Sequence, residues 1–228
     1  MDRTCCGSRG GWMKVADIDM TKSNHQCPVG FKLITRTTTP YRACGRPDRL
    51  SGCTSTTFAT NGARYSRVCG RILGYQIGSP DAFSRQSRGI DSYYIDGISL
   101  THGQSPRKHI WSFAGAVNEG SYFSTSICPC SNNGYRGTVP SFVGNDYFCD
   151  SAIRGEGSFS PGLFYPSDPL WDGQGCGATS TCCAFNNPPW FCKQLSQPTT
   201  DNIELRICGG SSNSADDSPF EVVELFVN

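Results

Sequence analysis

Fourteen cysteines among 228 residues restrict this chain more than any other feature. So many thiols must be held by metal or by one another, and their spacing separates the two cases. Zinc sites use CxxC pairs, or cysteines and histidines at regular ligand intervals. No CxxC occurs here, and His25, His102 and His109 form no comb with the cysteines. The chain has two vicinal pairs instead, Cys5-Cys6 and Cys182-Cys183, and one CxC at Cys128 and Cys130. The others stand alone: Cys27, Cys44, Cys53, Cys69, Cys149, Cys176, Cys192 and Cys208. The even count fits complete pairing into disulfides, with a connectivity that sequence does not give. Adjacent cysteines seldom bond each other, because a disulfide needs a dihedral of about 90°. Each member of a vicinal pair is therefore expected to reach its own distant partner. Cys5 or Cys6 is the expected exception, since cysteines near a terminus can link subunits. A catalytic thiol would need a depressed pKa and a nearby base, and the even count favours bridges over that reading.

Disulfides persist in oxidising compartments, so the chain is expected to be secreted and to work outside the cell. Its Met1-Asp2-Arg3-Thr4 start leads straight to Cys5 with no export signal, as in a mature or excised domain. A net charge of +1 offers nothing to nucleic acid or to an anionic membrane surface. No apolar run approaches the ~20 residues that span a bilayer. No N-x-S/T sequon is present.

The 26 Gly and 14 Pro punctuate short apolar runs, and no run carries a helical i, i+3, i+4, i+7 stripe. Alternation of period two predicts strands instead. In Lys108–Val117 the residues Trp111, Phe113, Gly115 and Val117 share a face. In Asn202–Cys208, Ile203, Leu205 and Ile207 face one way while Glu204 and Arg206 face the other. Phe220–Val227 is apolar on both faces apart from its glutamates, as in a nearly buried strand. Weaker strands fit Trp12–Ile18, Phe31–Thr35, Arg71–Ile77 and Tyr93–Thr101. The stretch from Cys128 to Phe191 reads as a disulfide-pinned lobe of loops packed on the sheet. The expected fold is all-β, a disulfide-rich antiparallel sandwich in one domain over residues 11–228. Residues 1–10 are expected to form a joint to something upstream.

Few constellations carry chemistry. A serine hydrolase would show a G-x-S-x-G elbow, and none occurs. The segment Ser99–His109 gathers two histidines, two cations and several hydroxyls. It fits an anion or sugar site or, as favoured here, a solvated hairpin loop entering the Trp111 strand. Hard cations such as Ca²⁺ take several oxygens from irregular backbone. Asp168 and Asp172, in a glycine-containing loop around Trp171, are the candidate calcium ligands. Asp146 and Asp150 flank Tyr147-Phe148, and Asp201, Asp216 and Asp217 lie in other polar loops. Aromatic faces beside polar groups also suit sugars, which makes Trp171, Trp190 and Tyr147 the candidate ligand residues, with Tyr165 as a further possibility.

Words spread along the chain resemble a family of cysteine-rich secreted proteins of marine invertebrates, especially sponges and cnidarians. They include Gly10-Gly11-Trp12, His25-Gln26-Cys27-Pro28, Tyr65-Ser66-Arg67-Val68-Cys69-Gly70-Arg71 and Tyr94-Ile95-Asp96-Gly97-Ile98-Ser99-Leu100-Thr101-His102-Gly103. Further words are Phe142-Val143-Gly144-Asn145-Asp146-Tyr147-Phe148-Cys149, Asp168-Pro169-Leu170-Trp171-Asp172-Gly173-Gln174 and Gln197-Pro198-Thr199-Thr200-Asp201-Asn202-Ile203-Glu204-Leu205-Arg206. The resemblance implies an extracellular head that follows a signal peptide and often a stalk, hence oligomers presenting several heads. The opening Cys6-Gly7 to Trp12 is also similar to the start of fibrinogen-like and intelectin domains, which are calcium-dependent recognition heads. The leading expectation is a non-enzymatic structural or recognition module that associates with copies of itself or with extracellular matrix. A calcium-dependent, lectin-like head for polysaccharide is the alternative, and a secreted hydrolase using Asp or His residues is the rival from another class.

Overall fold

The computed structural model describes residues 5–7, 10–35, 42–47, 52–74, 89–91, 97–117, 141–152, 190–209 and 219–228, with backbone alone at 74, 113–117, 148–152 and 209. Among these are eleven strands and no helix. They are β1 (Met13–Asp19), β2 (Lys32–Thr35), β3 (Arg42–Gly45), β4 (Gly52–Phe58), β5 (Tyr65–Gly74), β6 (Gly97–His102), β7 (Lys108–Val117), β8 (Tyr147–Ala152), β9 (Phe191–Thr199), β10 (Ile203–Gly209) and β11 (Phe220–Val227). No helix among the described residues is long and apolar enough to cross a membrane.

The strands form two sheets. Sheet A runs β2-β3-β11-β5-β9, with β1 also paired to β11, and sheet B runs β4-β10-β6-β7-β8. The fold is all-β and disulfide-rich as expected, and every pairing among the described strands is antiparallel except that of β7 with β8. The two sheets bury one common core. Val223, Leu225 and Val227 of β11 and Val68 and Ile72 of β5 meet Ile203, Leu205 and Ile207 of β10 and Ile98 and Leu100 of β6. These are alternate positions of β-branched and leucyl strands, so each strand contributes one apolar edge to the interior. Trp111 of sheet B lies flat on Phe191 of sheet A, ring centroids 4.7 Å apart and 12° from parallel. Gly70 lies beneath them: a Cβ there would meet Leu225 Cδ2 at 2.5 Å and Phe191 Cε1 at 2.9 Å. The absent side chain is what lets Phe191 settle onto β5.

Among the described residues four disulfides fix this arrangement: Cys5–Cys69, Cys6–Cys192, Cys27–Cys44 and Cys53–Cys208. The vicinal pair Cys5-Cys6 thus reaches two separate partners, as its geometry requires. Both of its members bond within the chain, which corrects the expectation that one of them links subunits. The side chains of Cys128, Cys130, Cys149, Cys176, Cys182 and Cys183 lie outside the described residues.

Candidate functional site

Sheet B has an unusual outer face. The residues of β10 that point away from the core are Glu204, Arg206 and Cys208, and the cross-strand register extends each into a row. One row runs Ser55, Arg206, Ser99, Ser112 and Tyr147 across five strands. The next runs Thr57, Glu204, Thr101 and His109. A sheet face of this composition is ordinarily wet, yet Ser99, Thr101 and Ser112 are sealed from solvent, and Glu204 and Arg206 nearly so. Buried polar groups must find partners, and most of these do. Arg107 reaches back from the β6–β7 turn to donate Nε to Glu204 Oε2 at 2.6 Å and Nη2 to Oε1 at 3.3 Å. Thr101 Oγ1 donates to Glu204 Oε2 at 3.1 Å. Arg107 Nη1 also donates to Asp91 at 3.1 Å, and Arg206 Nη1 to the Ile90 carbonyl at 2.7 Å. Arg206 Nη2 lies 3.3 Å from Cys53 Sγ.

Burial works to raise the Glu204 pKa, but hydrogen bonds from Arg107, Ser55 and Thr101 outweigh it and hold the carboxyl below its usual range. The carboxylate in turn holds the Arg107 guanidinium above its ordinary value. His109, in the same row, has no charged partner bonded to its ring among the described residues and is governed by burial instead. Its Nε2 is 2.7 Å from Ser112 Oγ, its ring meets Phe142 edge to face, and its Nδ1 has no partner among the described residues. Burial pushes its pKa down to about 4, Lys193 assisting and Asp146 opposing. The ring is therefore neutral at pH 7. Ser112 and His109 resemble a nucleophile and its base, but the Ser112 side chain is fully buried.

A second histidine stands at the end of β6. His102 Nδ1 is 2.9 Å from Asp201 Oδ2, and the bond from His102, with another from Thr199, lowers the Asp201 pKa. Tyr65 donates its hydroxyl to the Asp201 carbonyl at 2.8 Å, and burial followed by the Asp201 charge raises the Tyr65 pKa. Thr60 Oγ1 bonds the Thr200 carbonyl at 3.1 Å, which closes the β9–β10 turn against the loop before β5. His102 and Asp201 thus anchor a corner where two turns meet.

Sheet A carries aromatic rings and cations on its outer face. Arg67 lies over Trp12, Arg71 over Trp190 and Lys14 over Phe226, each 5.1 to 5.7 Å from the ring centroid. Arg71 is paired with Glu224 and Lys14 with Asp17, so cations, anions and rings alternate across the face. Beneath them Trp12 packs on Cys5 and Cys69, with Cys6, Trp190 and Phe226 around it. Alternation of Arg67, Cys69 and Arg71 along β5 brings these groups to one side.

The sequence-derived sites fare unevenly. Asp168, Trp171 and Asp172 lie outside the described residues, as do Tyr165, Asp216 and Asp217. Trp190 joins the outer layer of sheet A, whereas Tyr147 opens β8 in sheet B, so the two ligand candidates belong to different sheets. The Ser99–His109 stretch is a hairpin with a solvated turn and buried strand ends: Ser99, Thr101 and His102 are buried, whereas Gln104–Pro106 and Lys108 are exposed. Among the described residues no group of three His, Cys, Asp or Glu side chains could hold a metal ion. Glu204, Arg107 and Arg206 emerge as polar anchors that local sequence did not mark. No protein-family model matches the chain, and no curated protein matches it.

Proposed function

We propose that the chain is a secreted extracellular module that acts by binding rather than by catalysis, and that it associates with copies of itself through the outer face of sheet A. The observation that carries this is the row of three cation–aromatic pairs on that face, Arg67 on Trp12, Arg71 on Trp190 and Lys14 on Phe226. Tryptophan and arginine are the residues that dominate protein interface centres. Cations alternating with Glu224 and Asp17 make the face self-complementary, so a two-fold related copy can place acid against base. The disulfides support an oxidising environment. The resemblance to stalk-bearing secreted proteins points the same way, since several weak heads on one stalk gain from multivalency. The lectin-like alternative rests on Asp168, Asp172 and Trp171, which lie outside the described residues, and on Trp190 and Tyr147, which belong to different sheets.

Light scattering across a range of concentrations, with and without a calcium chelator, tests the reading. Mass should rise above the 24.7 kDa of one chain, and Arg71→Glu should lower that association. A strict monomer at every concentration sinks self-association. Chelator-sensitive binding to a glycan array would transfer the case to the lectin reading.

A further inference from the structure

Three of the bridges share a pattern that the fourth breaks. Cys5–Cys69 and Cys6–Cys192 tie a separate segment onto the outer face of sheet A, and Cys27–Cys44 ties the turn before β2 to β3. Cys53–Cys208 joins two residues already opposite each other in the β4–β10 ladder, with Cα atoms 4.0 Å apart. The ladder itself continues unbroken from Phe58 to Gly52. The bridge is also asymmetric. Cys53 is exposed on an edge strand of sheet B, whereas Cys208 is 1 % exposed. The buried Arg206 holds its guanidinium 3.3 Å from the Cys53 sulfur. A cation so close to the Cys53 sulfur draws an incoming thiolate toward it and stabilises the Cys53 thiolate once that is released.

We infer that Cys53–Cys208 is the exchangeable one of the four described disulfides and that Arg206 is its positioning residue. The co-reactant is a dithiol from solvent. One of its thiolates attacks the exposed Cys53 sulfur, the Cys53–Cys208 bond breaks, and Cys208 leaves as a thiolate that takes a proton from solvent. The second thiol of the reductant, as thiolate, then attacks its own sulfur in the mixed disulfide. Cys53 is released as a thiolate beside Arg206, and the dithiol becomes a disulfide. Two electrons pass to the protein, which retains the backbone ladder of β4 and β10. The product offers one accessible thiolate, Cys53, and one sealed thiol, Cys208. This inference is independent of the self-association reading.

The experiment uses the whole chain with dithiothreitol as the dithiol, quenched at intervals by an alkylating reagent and mapped by peptide mass. Cys53 and Cys208 should be labelled about tenfold sooner than Cys5, Cys6, Cys27, Cys44, Cys69 or Cys192. Arg206→Gln should slow the opening about three- to tenfold, and Arg206→Lys should restore most of the rate. Because Arg206→Gln can also loosen the sheet, a second readout is the pH profile of Cys53 alkylation in the opened native protein. Its midpoint should fall below the ordinary thiol value of about 8.5. The inference is overturned if another of these bridges opens first, if all open together, or if the Cys53 midpoint is that of a free thiol.

Discussion

Cys69 and Cys192 sit directly opposite each other across β5 and β9, yet each is bonded to a different member of the adjacent pair Cys5-Cys6. One dipeptide therefore clamps two neighbouring strands at the same register position. The clamp also buries Trp12 against Cys69 and brings Arg67 onto its ring.

Removing these staples should cost more than removing the local one. Cys6–Cys192 spans 186 residues and Cys27–Cys44 spans 17. In the chain-entropy view longer closed loops stabilise more, within ~2–5 kcal/mol per bridge. Serine replacement of both Cys6 and Cys192 should lower the urea midpoint further than the same change at Cys27 and Cys44. Equal losses for the two double variants would contradict the ordering.

Acid should weaken the fold in two separate windows. His109 titrates at about 4 in the fold against about 6.5 in an unfolded chain. Its neutral ring is favoured in the native state, so its contribution is full above pH ~6.5 and is lost as pH falls toward ~4, reaching up to about 3 kcal/mol. Glu204, Asp201 and Asp19 are lowered from carboxylate values of 3.8 to 4.5. Their contributions are present above those values and are lost only at lower pH. Denaturant melts between pH 7 and ~5.5 therefore isolate the histidine, and His109→Gln should flatten the profile there. An unchanged slope in that variant would refute the assignment.

Glu204 should be the most sensitive polar position of sheet B. It gathers Arg107, Thr101 and Ser55 beneath a sealed surface. Glu204→Gln should cost ~1.5–3 kcal/mol, because the Arg107 guanidinium loses a charged acceptor. A double-mutant cycle with Arg107→Gln should show coupling above ~0.5 kcal/mol, and additive losses would show the pair to be dispensable.

Gly70→Ala should destabilise the joint between the sheets by ~1–3 kcal/mol, an overpacking effect. The new methyl would press on the Phe191 ring, on Leu225 and on the Glu224 carbonyl at 2.6 Å, and the carbonyl cannot rotate away. Thermal melts of this variant against Gly62→Ala, where nothing lies within 4 Å, separate crowding from the strain of the backbone.

Much of the strand pattern was legible, and the reasons are local. β7 and β11 fall at Lys108–Val117 and Phe220–Val227, the limits that alternation and apolar content predict. β10 lies one residue from its expected span. β5 begins at Tyr65 rather than Arg71, because Gly70 interrupts the apolar run where Phe191 packs. β4 was missed because Gly-Cys-Thr-Ser-Thr-Thr-Phe has no apolar alternation to read. β8 was missed because it pairs in parallel with β7 inside a stretch that looks like loop, and no local signal sets such a register. The two faces of β10 were assigned correctly, but no local signal marks the polar one as buried. Its burial depends on partners such as Thr101 and Arg107, 103 and 97 residues away.

β11 occupies the middle of sheet A, bonded to β1 and β3 on one side and β5 on the other. During synthesis the earlier strands must wait for it. Until residues 220–227 emerge, β1, the β2–β3 pair and the β5 strand have no common neighbour, and sheet A is three fragments. Cys27 and Cys44 can meet early, being joined by the short β2–β3 hairpin. Cys5 and Cys6 cannot be guided to Cys69 and Cys192 until that late strand is seated. Long-range pairing is slow, and disulfide reshuffling takes seconds to hours. Maturation should therefore pass through wrongly bonded forms and depend on an isomerase, and correct pairing of Cys5 and Cys6 should wait until β11 has emerged.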